Sequence, residues 1–567
     1  MALIGLVLSM AFTGCGSQEA PSDTPTTDTQ KETTKDSEKK ETASTASKDD
    51  SIFTEVGTYP IVKEGEEHTL TLFAALRAAV MSYDAEENQF TKWLEEKTGL
   101  TLKFQSVPAA DRQAKLNVLM TSGNYPDVIV DSWFSPSEQL LYGQQGILQP
   151  LNDLIAEYGP NIQKALDANP LVAESMTMED GNIYSLPAIG MARHMTASNK
   201  MWINKAWLDR VGMEVPQTTE EFKEVLRAFK EQDANGNGDP NDEIPLSGSL
   251  KGWNTNPTNF FMNSFEYYDT VKKSMYVEDG KIVYSRIEDG FKEGLKYLNE
   301  LYEEGLMDPL VYSQTVDQLK KTANIPGETT VGVCGGGSSS SFINIADSDK
   351  WREYVTMPPL EGPDGTRHAI TAYDYGSPVL NITNACKNPE AVIRLFDLMF
   401  TDEGFMFNIA GVEDVDYRKA KEGEVNVVGE PAKYVRLTTA EQRGDRCWNQ
   451  LGPWYRPDDY ERWYSADPNG DLESLLYTET VANYSPYIVE PEVVVPPLAF
   501  EADDARAIID IELPINTYCD QAIVDFIMGN VDIDEGWDAY IEQMKNLGVD
   551  QYIQLHQDAY DKKKGLN

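Results

Sequence analysis

Polar and apolar residues alternate in "HTLTLFAAL", where Leu70 and Leu72 stand between threonines, the period of a strand. "YDAEENQFTKWLEEKTG" then puts Phe90, Trp93 and Leu94 on one face of a helix, with Gly99 as its C-cap. "LTLKFQSV" alternates again, "DRQAKLNVLMTSG" has helical spacing, and "PDVIVD" is the short apolar run of a buried strand. Strand, helix, strand, helix, strand predicts an α/β layer built on a parallel sheet. Further on, "DGNIYSLPAIG" reads as a turn and an extended crossing into "ASNKMWINKAWLDRVG", a strand and a helix start. "TTEEFKEVLRAFKEQ" places Phe222, Val225, Leu226 and Phe229 at i, i+3, i+4 and i+7 of a helix. "NPEAVIRLFDLMFTDEGFMFNIAG" predicts one amphipathic helix followed by a shorter one. From 440 to 500 the period is lost among Trp, Tyr and Pro, and helical spacing returns from about 501.

The ends of the chain follow a different rule. "MALIGLVLSMAFTGC" is an apolar stretch too short to cross a bilayer as a stable helix, and its "FTGC" resembles the lipobox at which export signals are cut before a lipidated cysteine, here Cys15. No Lys or Arg precedes the apolar run, so the printed start is expected to lie inside the true one. Residues 16 to 50 contain no aromatic residue and are rich in Ser, Thr, Lys, Asp and Glu, which cannot bury enough apolar surface to offset their ordering entropy. The expectation is a signal peptide over 1–15, a disordered tether over 16–67 and an ordered body from 68. The body is then a lipid-anchored monomer on the outer face of the membrane.

At 567 residues, 41% of them hydrophobic, that body can bury a large core in two or more domains. With 48 basic against 93 acidic residues, the net charge of -45 excludes nucleic acid as a partner, since phosphate recognition needs a basic face. Cys334, Cys386, Cys447 and Cys519 show no metal-like or redox-like spacing and are expected to be free and buried.

Three stretches carry candidate chemistry. "DANGNGDPNDEIP" sets Asp233, Asn235 and Asn237 at positions 1, 3 and 5 of a calcium-type loop, Gly238 at the sharp turn and Asp239 at position 7. Position 12, where a closing Glu belongs, is Ile244; Asp242 and Glu243 precede it and Pro245 blocks a second helix. A helix precedes the loop but none follows, so the pair that opens in a calcium switch is missing. A structural cation or a plain polar turn remain the two readings of these residues. "CWNQLGPWYRPDDYERWY" gathers Trp448, Trp454, Tyr455 and Arg456, rings and a guanidinium suited to stacking on sugar faces and bonding hydroxyls in a half-wet cleft. The alternative for each ring is packing against its own lobe. Strand ends add Trp133, Trp253, Tyr373 and Asp374 as cleft candidates, because open α/β sheets hold ligands at their carboxyl edges.

"VCGGGSSSS" lacks the Lys of a phosphate-binding loop and is expected to be a flexible loop facing the cleft or solvent. His68, His194, His368 and His556 are scattered, and neither H-E-x-x-H nor G-x-S-x-G occurs, so no catalytic residue is assigned.

"SGNYPDVIV", "DGNIYSLPA", "WINKAWLDRVG", the Asn-Gly loop with "DEIP", and "NPEAVIRLFDLMFTDEG" occur in the order found in large bacterial solute-binding lipoproteins. From 68 onward the sequence resembles the extracellular solute-binding proteins of family 1, receptors of carbohydrate ABC importers, and within them the branch of lipoprotein LipO and the alginate-binding proteins. The resemblance implies a two-lobed periplasmic-binding-protein-like α/β fold, type II and cluster D-like, with hinge crossings. Lobe one would be 68–195 plus 370–430, and lobe two 200–368 plus 440–567. It implies an oligosaccharide or sugar-derivative ligand, ABC permease subunits as partners, and a structural calcium on Asp233, Asn235, Asn237, Asp239, Asp242 and Glu243, with Asn241 competing with Asp242. A secreted carbohydrate-active enzyme using two cleft carboxylates, or a calcium-dependent surface adhesin, are the alternatives.

Overall fold

The structure, a computed structural model, describes residues 51–239, 241–345, 349–373, 375–438, 440–456, 460–466 and 472–565. The expected signal segment with Cys15, most of the expected tether, and Asp374 lie outside the described residues. Two sheets organise the rest. Strands β1 (His68–Ala75), β2 (Leu100–Val107), β3 (Val128–Val130) and β4 (Leu186–Ile189) come first, then β5 (Met201–Asn204), β6 (Ile244–Ser247), and the hairpin β7 (Met275–Glu278) and β8 (Lys281–Tyr284). They are followed by β9 (Val331–Gly335), β10 (Tyr354–Met357), β11 (Ser377–Ile382), the pair β12 (Tyr417–Lys419) and β13 (Tyr434–Arg436), and β14 (Trp454–Tyr455).

The six-stranded sheet of lobe one runs β14-β4-β11-β3-β1-β2 and the four-stranded sheet of lobe two runs β10-β5-β9-β6. β1 pairs in parallel with both β2 and β3, while β11 is antiparallel to β3 and to β4, so β4 and its parallel neighbour β14 point the same way as β1 and β3. Their carboxyl ends share one edge. In lobe two, β6 and β9 are parallel and β5 enters antiparallel beside Gly335 at the end of β9, so the chain arrives at a carboxyl edge there too. Residues 190–200 therefore join the carboxyl edges of the two sheets.

The predicted elements form for local reasons. In the helix Thr219–Glu231 the Thr218 side chain accepts from Glu221 N–H, Glu220 and Glu221 meet the positive end of the helix dipole, and Lys230 meets the negative end. Its buried face is Phe222, Val225, Leu226 and Phe229, all fully enclosed in the lobe-two core. The "YDAEENQF" stretch starts its helix only at Gln89, because the Asn88 side chain caps it by accepting from Phe90 and Thr91 N–H.

Two expected boundaries move. Residues 52–62 belong to the body and not to the tether: Phe53 bridges to Val62, Ile61 is fully buried in the lobe-one core, and Arg394 donates to the carbonyls of Thr54, Glu55 and Thr58. Hydrophobic burial was spread over too few residues there to register as a periodic pattern. The segment 440–466 joins lobe one rather than lobe two, since β14 extends the lobe-one sheet beside β4 and Trp448 and Leu451 sit in its core.

All four body cysteines are buried and free. Among the described residues no helix is long and apolar enough to cross a membrane.

Candidate ligand cleft and calcium-type loop

At the carboxyl end of β3 the chain turns through left-handed backbone at Asp131 (φ 54°) and Trp133 (φ 51°). Such conformations cost non-glycine residues on the order of 1–3 kcal/mol each and need surrounding support. Two guanidinia provide it. Arg77 pairs with the buried Asp131 carboxylate at 2.8 Å, and Arg112 donates to the carbonyls of Asp131 and Ser132 at 2.9 and 3.0 Å. Burial pushes the Asp131 carboxyl up, and Arg77 opposes that shift. The result holds the Trp133 indole 48% exposed, with Arg112 4.3 Å from its ring centre.

Lobe two makes a matching platform. Trp253 is 44% exposed, and its ring lies so close over Gly337 that a Cβ there would come within 2.4 Å of it. Gly337 N–H and the Ser341 hydroxyl donate to the Trp253 carbonyl, Gly336 N–H donates to the Lys200 carbonyl, and Trp202 donates its indole N–H to the Gly336 carbonyl. The glycine-serine run is thus a tied, buried cradle for a tryptophan and not the flexible loop expected. Glycine composition suggested mobility, but here each missing side chain makes room for a neighbour.

The crossing 190–200 runs beside the Trp253 platform, where the Asn254 amide donates to the Ser198 carbonyl. Ala372 N–H donates to the Thr196 carbonyl at 2.9 Å, Ala369 N–H to the Tyr487 carbonyl at 2.8 Å, and the Tyr373 hydroxyl to the Val489 carbonyl at 2.6 Å. Tyr373 therefore ties its crossing to the segment at Val489. Lys200, fully buried, donates from its Nζ to the carbonyls of His194 and Ala197 and faces the Tyr484 ring at 5.1 Å.

The aromatic run divides. Trp448 is fully buried, donates its indole N–H to Thr91 at 2.7 Å and packs among Tyr83, Phe90 and Phe104. Trp454 is buried against Phe405 in a small cluster with Tyr460, Trp463 and Tyr464. Neither is a cleft ring: the segment folds back on lobe one, and its rings fill the gap between the sheet edge and the helix Asp402–Ala410. Tyr455 is half-buried against the lobe-one core, and Arg456, 8% exposed, leads from the carboxyl end of β14. Two half-open cavities lie away from these rings. One of about 310 Å³ sits under the strap at Tyr59 and Arg394, and one of about 110 Å³ between Tyr375, Pro496 and Tyr560.

In the calcium-type loop, Asp242 accepts from the amides of Asn235 and Asn237 at 2.9 and 2.7 Å, Asp233 accepts from Gly238 N–H, and Glu243 accepts from Asn235 N–H. Asn241 instead turns to Asp239, so Asp242 is the member of the pair that faces the loop centre. One carboxylate oxygen of Asp233 and one of Glu243 are buried with no donor. Burial and the neighbouring Asp242 and Asp233 push the Glu243 carboxyl up, against the Asn235 N–H. Converging, partly orphaned oxygens fit a hard cation that takes oxygen ligands. Among the described residues no trio of His, Cys, Asp or Glu side chains gathers at metal-binding range, and the donor set here relies on asparagines as well as carboxylates.

Residues 74–404 match the family model of the bacterial extracellular solute-binding proteins. The chain belongs to this family. Its relatives include the fructooligosaccharide ABC transporter substrate-binding protein FusA of Streptococcus pneumoniae serotype 4, 27% identical across 89% of this chain and 91% of that protein. Lipoprotein LipO of Bacillus subtilis is 26% identical across 62% of this chain and 68% of LipO. The solved structure of S. pneumoniae FusA in complex with kestose superposes with a TM-score of 0.70 at 26% identity, covering 88% of this chain and 100% of that one; an EF-hand mutant of FusA with fructo-nystose gives 0.69 at 25%, with the same coverage. Membership makes the protein a binder rather than an enzyme, and gives it the two-lobed solute-binding fold.

Proposed function

We propose that this protein captures an oligosaccharide or sugar derivative between its lobes and presents it to an ABC permease, held to the outer membrane face by a lipid on Cys15. The observation that carries the reading is the pair of half-exposed indoles, Trp133 and Trp253, each braced at the carboxyl edge of its own sheet. Flat apolar sugar faces rest on such rings while nearby polar groups take the hydroxyls. Hinge bending along 190–200 and 369–376 closes the lobes, and closure follows from tighter contact with ligand in the closed state. Similarity to FusA, whose bound ligands are fructooligosaccharides, supports a sugar ligand.

Calorimetric titration with neutral and acidic oligosaccharides tests the reading. Saturable binding without hydrolysis is expected; hydrolysis of any bound glycan, or no binding across the panel, overturns it.

Calcium on Asp233, Asn235, Asn237, Asp239, Asp242 and Glu243 is the second part of the proposal. The ion would neutralise converging carboxylates and stiffen lobe two away from the cleft. Calcium should raise the melting temperature without altering ligand preference, and Asp233→Ala should abolish that rise. Sugar binding lost on chelation would instead place the ion at the sugar.

A further inference from the structure

The cavity of about 310 Å³ under the strap has Tyr59 and Tyr158 among its walls and lies far from the cleft. Lys97, on its lining, stands just before Leu100, where β2 begins, so the cavity sits toward the amino edge of the lobe-one sheet. β1 and β2 run parallel and in register from there over 8 residues, which puts the carboxyl edge roughly 25 Å farther on.

Lys97 and Arg394 face Asp397 and Glu403 across this lining, so it is neutral in a chain whose net charge is -45. Arg394 and Asp397 are each 4% exposed, and main-chain groups hold both. Arg394 donates to the carbonyls of Thr54, Glu55 and Thr58, and Asp397 accepts from Asn161 and Ile162 N–H at 2.8 and 2.9 Å. Lys97 pairs with Glu403. An added anion would meet two carboxylates here and an added cation two bases, which disfavours a charged ligand.

The polar atoms still open suit hydroxyls. Among the described residues the Tyr59 hydroxyl has no partner, Asp397 Oδ2 takes only the Asn161 amide at 2.7 Å, and Glu403 Oε1 takes no donor. Burial, then Asp397, pushes the Tyr59 hydroxyl up to about 12, so it keeps its proton and can both give and take a hydrogen bond. Aromatic walls with a few polar atoms mark a small-ligand site, and the volume is at the low end of the roughly 300–1,000 Å³ such sites span. We infer that this cavity is a second carbohydrate site, separate from the cleft, taking a single neutral sugar unit against Tyr59 and Tyr158.

The test uses Trp133→Ala/Trp253→Ala, which lacks both cleft platforms, and titrates it with fructose, glucose, galactose and glucuronate by saturation-transfer NMR. Melting temperatures are recorded alongside. A neutral hexose should bind saturably at millimolar concentration, and glucuronate more weakly. Adding Tyr59→Phe and Glu403→Gln, which exchange single polar atoms with little change of shape, should weaken that hexose about tenfold at an unchanged melting temperature. In the wild-type background the same two changes should leave the oligosaccharide affinity found by calorimetry within about twofold, so failure of this site and failure of the cleft reading are told apart. No hexose binding, tightest binding of glucuronate, or hexose binding unmoved by the two changes overturns the inference.

Discussion

Trp448 and Trp133 carry the same side chain into opposite settings. Trp448 is enclosed by Tyr83, Phe90 and Phe104 with its N–H bonded to Thr91, whereas Trp133 is half in solvent between two guanidinia. Removing a buried indole costs about 3–5 kcal/mol through lost transfer energy and the cavity left behind. Trp448→Ala should lower the unfolding free energy by that amount in urea titration, with any affinity change following only from lost folded protein. Trp133→Ala should leave the urea midpoint close to wild type and weaken sugar binding about tenfold, equivalent to about 1.4 kcal/mol. Equal stability losses in the two variants would deny Trp133 its role as a platform. No period in the sequence separates these two rings, because irregular backbone carries no facing rule. What distinguishes Trp133 is its place just after a strand end, a topological fact readable in "PDVIVDSW".

At the scale of elements, the crossing 190–200 is the part whose chemistry the sequence concealed. "ASNKMWIN" is read correctly as an entry into a strand, but nothing in it says that Lys200 is buried without a carboxylate. The two carbonyl acceptors of its Nζ match the two N–H donors of a neutral amine. Burial lowers its ammonium from 10.5 to about 7. Between those values the unfolded chain holds the proton and the folded chain has released it, so folding gains stability as pH rises across the window. Below about 7 both states are protonated and this contribution to the slope vanishes. Lys200→Met should remove that rise: urea unfolding at pH 7, 8.5 and 10 would show a smaller gain with pH than wild type. A variant with the wild-type slope would mean that Lys200 keeps its charge inside the crossing.

The strands and helices that alternate along the chain were legible because each had a clean period and a cap, and "LTLKFQSV" forms β2 from its first residue to its last. The strap 52–62 and the return of 440–466 to lobe one were not, since both depend on which surface a short irregular stretch reaches. The same is true of the contacts between lobes, which no local pattern encodes.

Over the whole molecule, the last helix, Val549–Lys564, belongs to the lobe-two core through Val549, Tyr552 and Tyr560, yet its end reaches lobe one. Lys562 pairs with Glu179 at 2.7 Å and Lys563 with Glu174 at 3.3 Å. In the proposed closure, rotation about the crossings stretches or shortens these pairs, so they would bias the balance between open and closed lobes. Exposed pairs contribute roughly 0–1 kcal/mol each and are screened by salt. A double change, Lys562→Gln with Lys563→Gln, should therefore shift sugar affinity by up to about thirtyfold, since a ligand that prefers one state reports the free-energy gap between the two. A fall in affinity assigns the paired arrangement to the closed state; a rise assigns it to the open one. In either case the wild type should show a salt dependence that the double variant lacks. Unchanged affinity across 50 to 500 mM salt in both proteins would mean that the helix end rides on lobe one without influencing closure, and that the crossings alone set the balance.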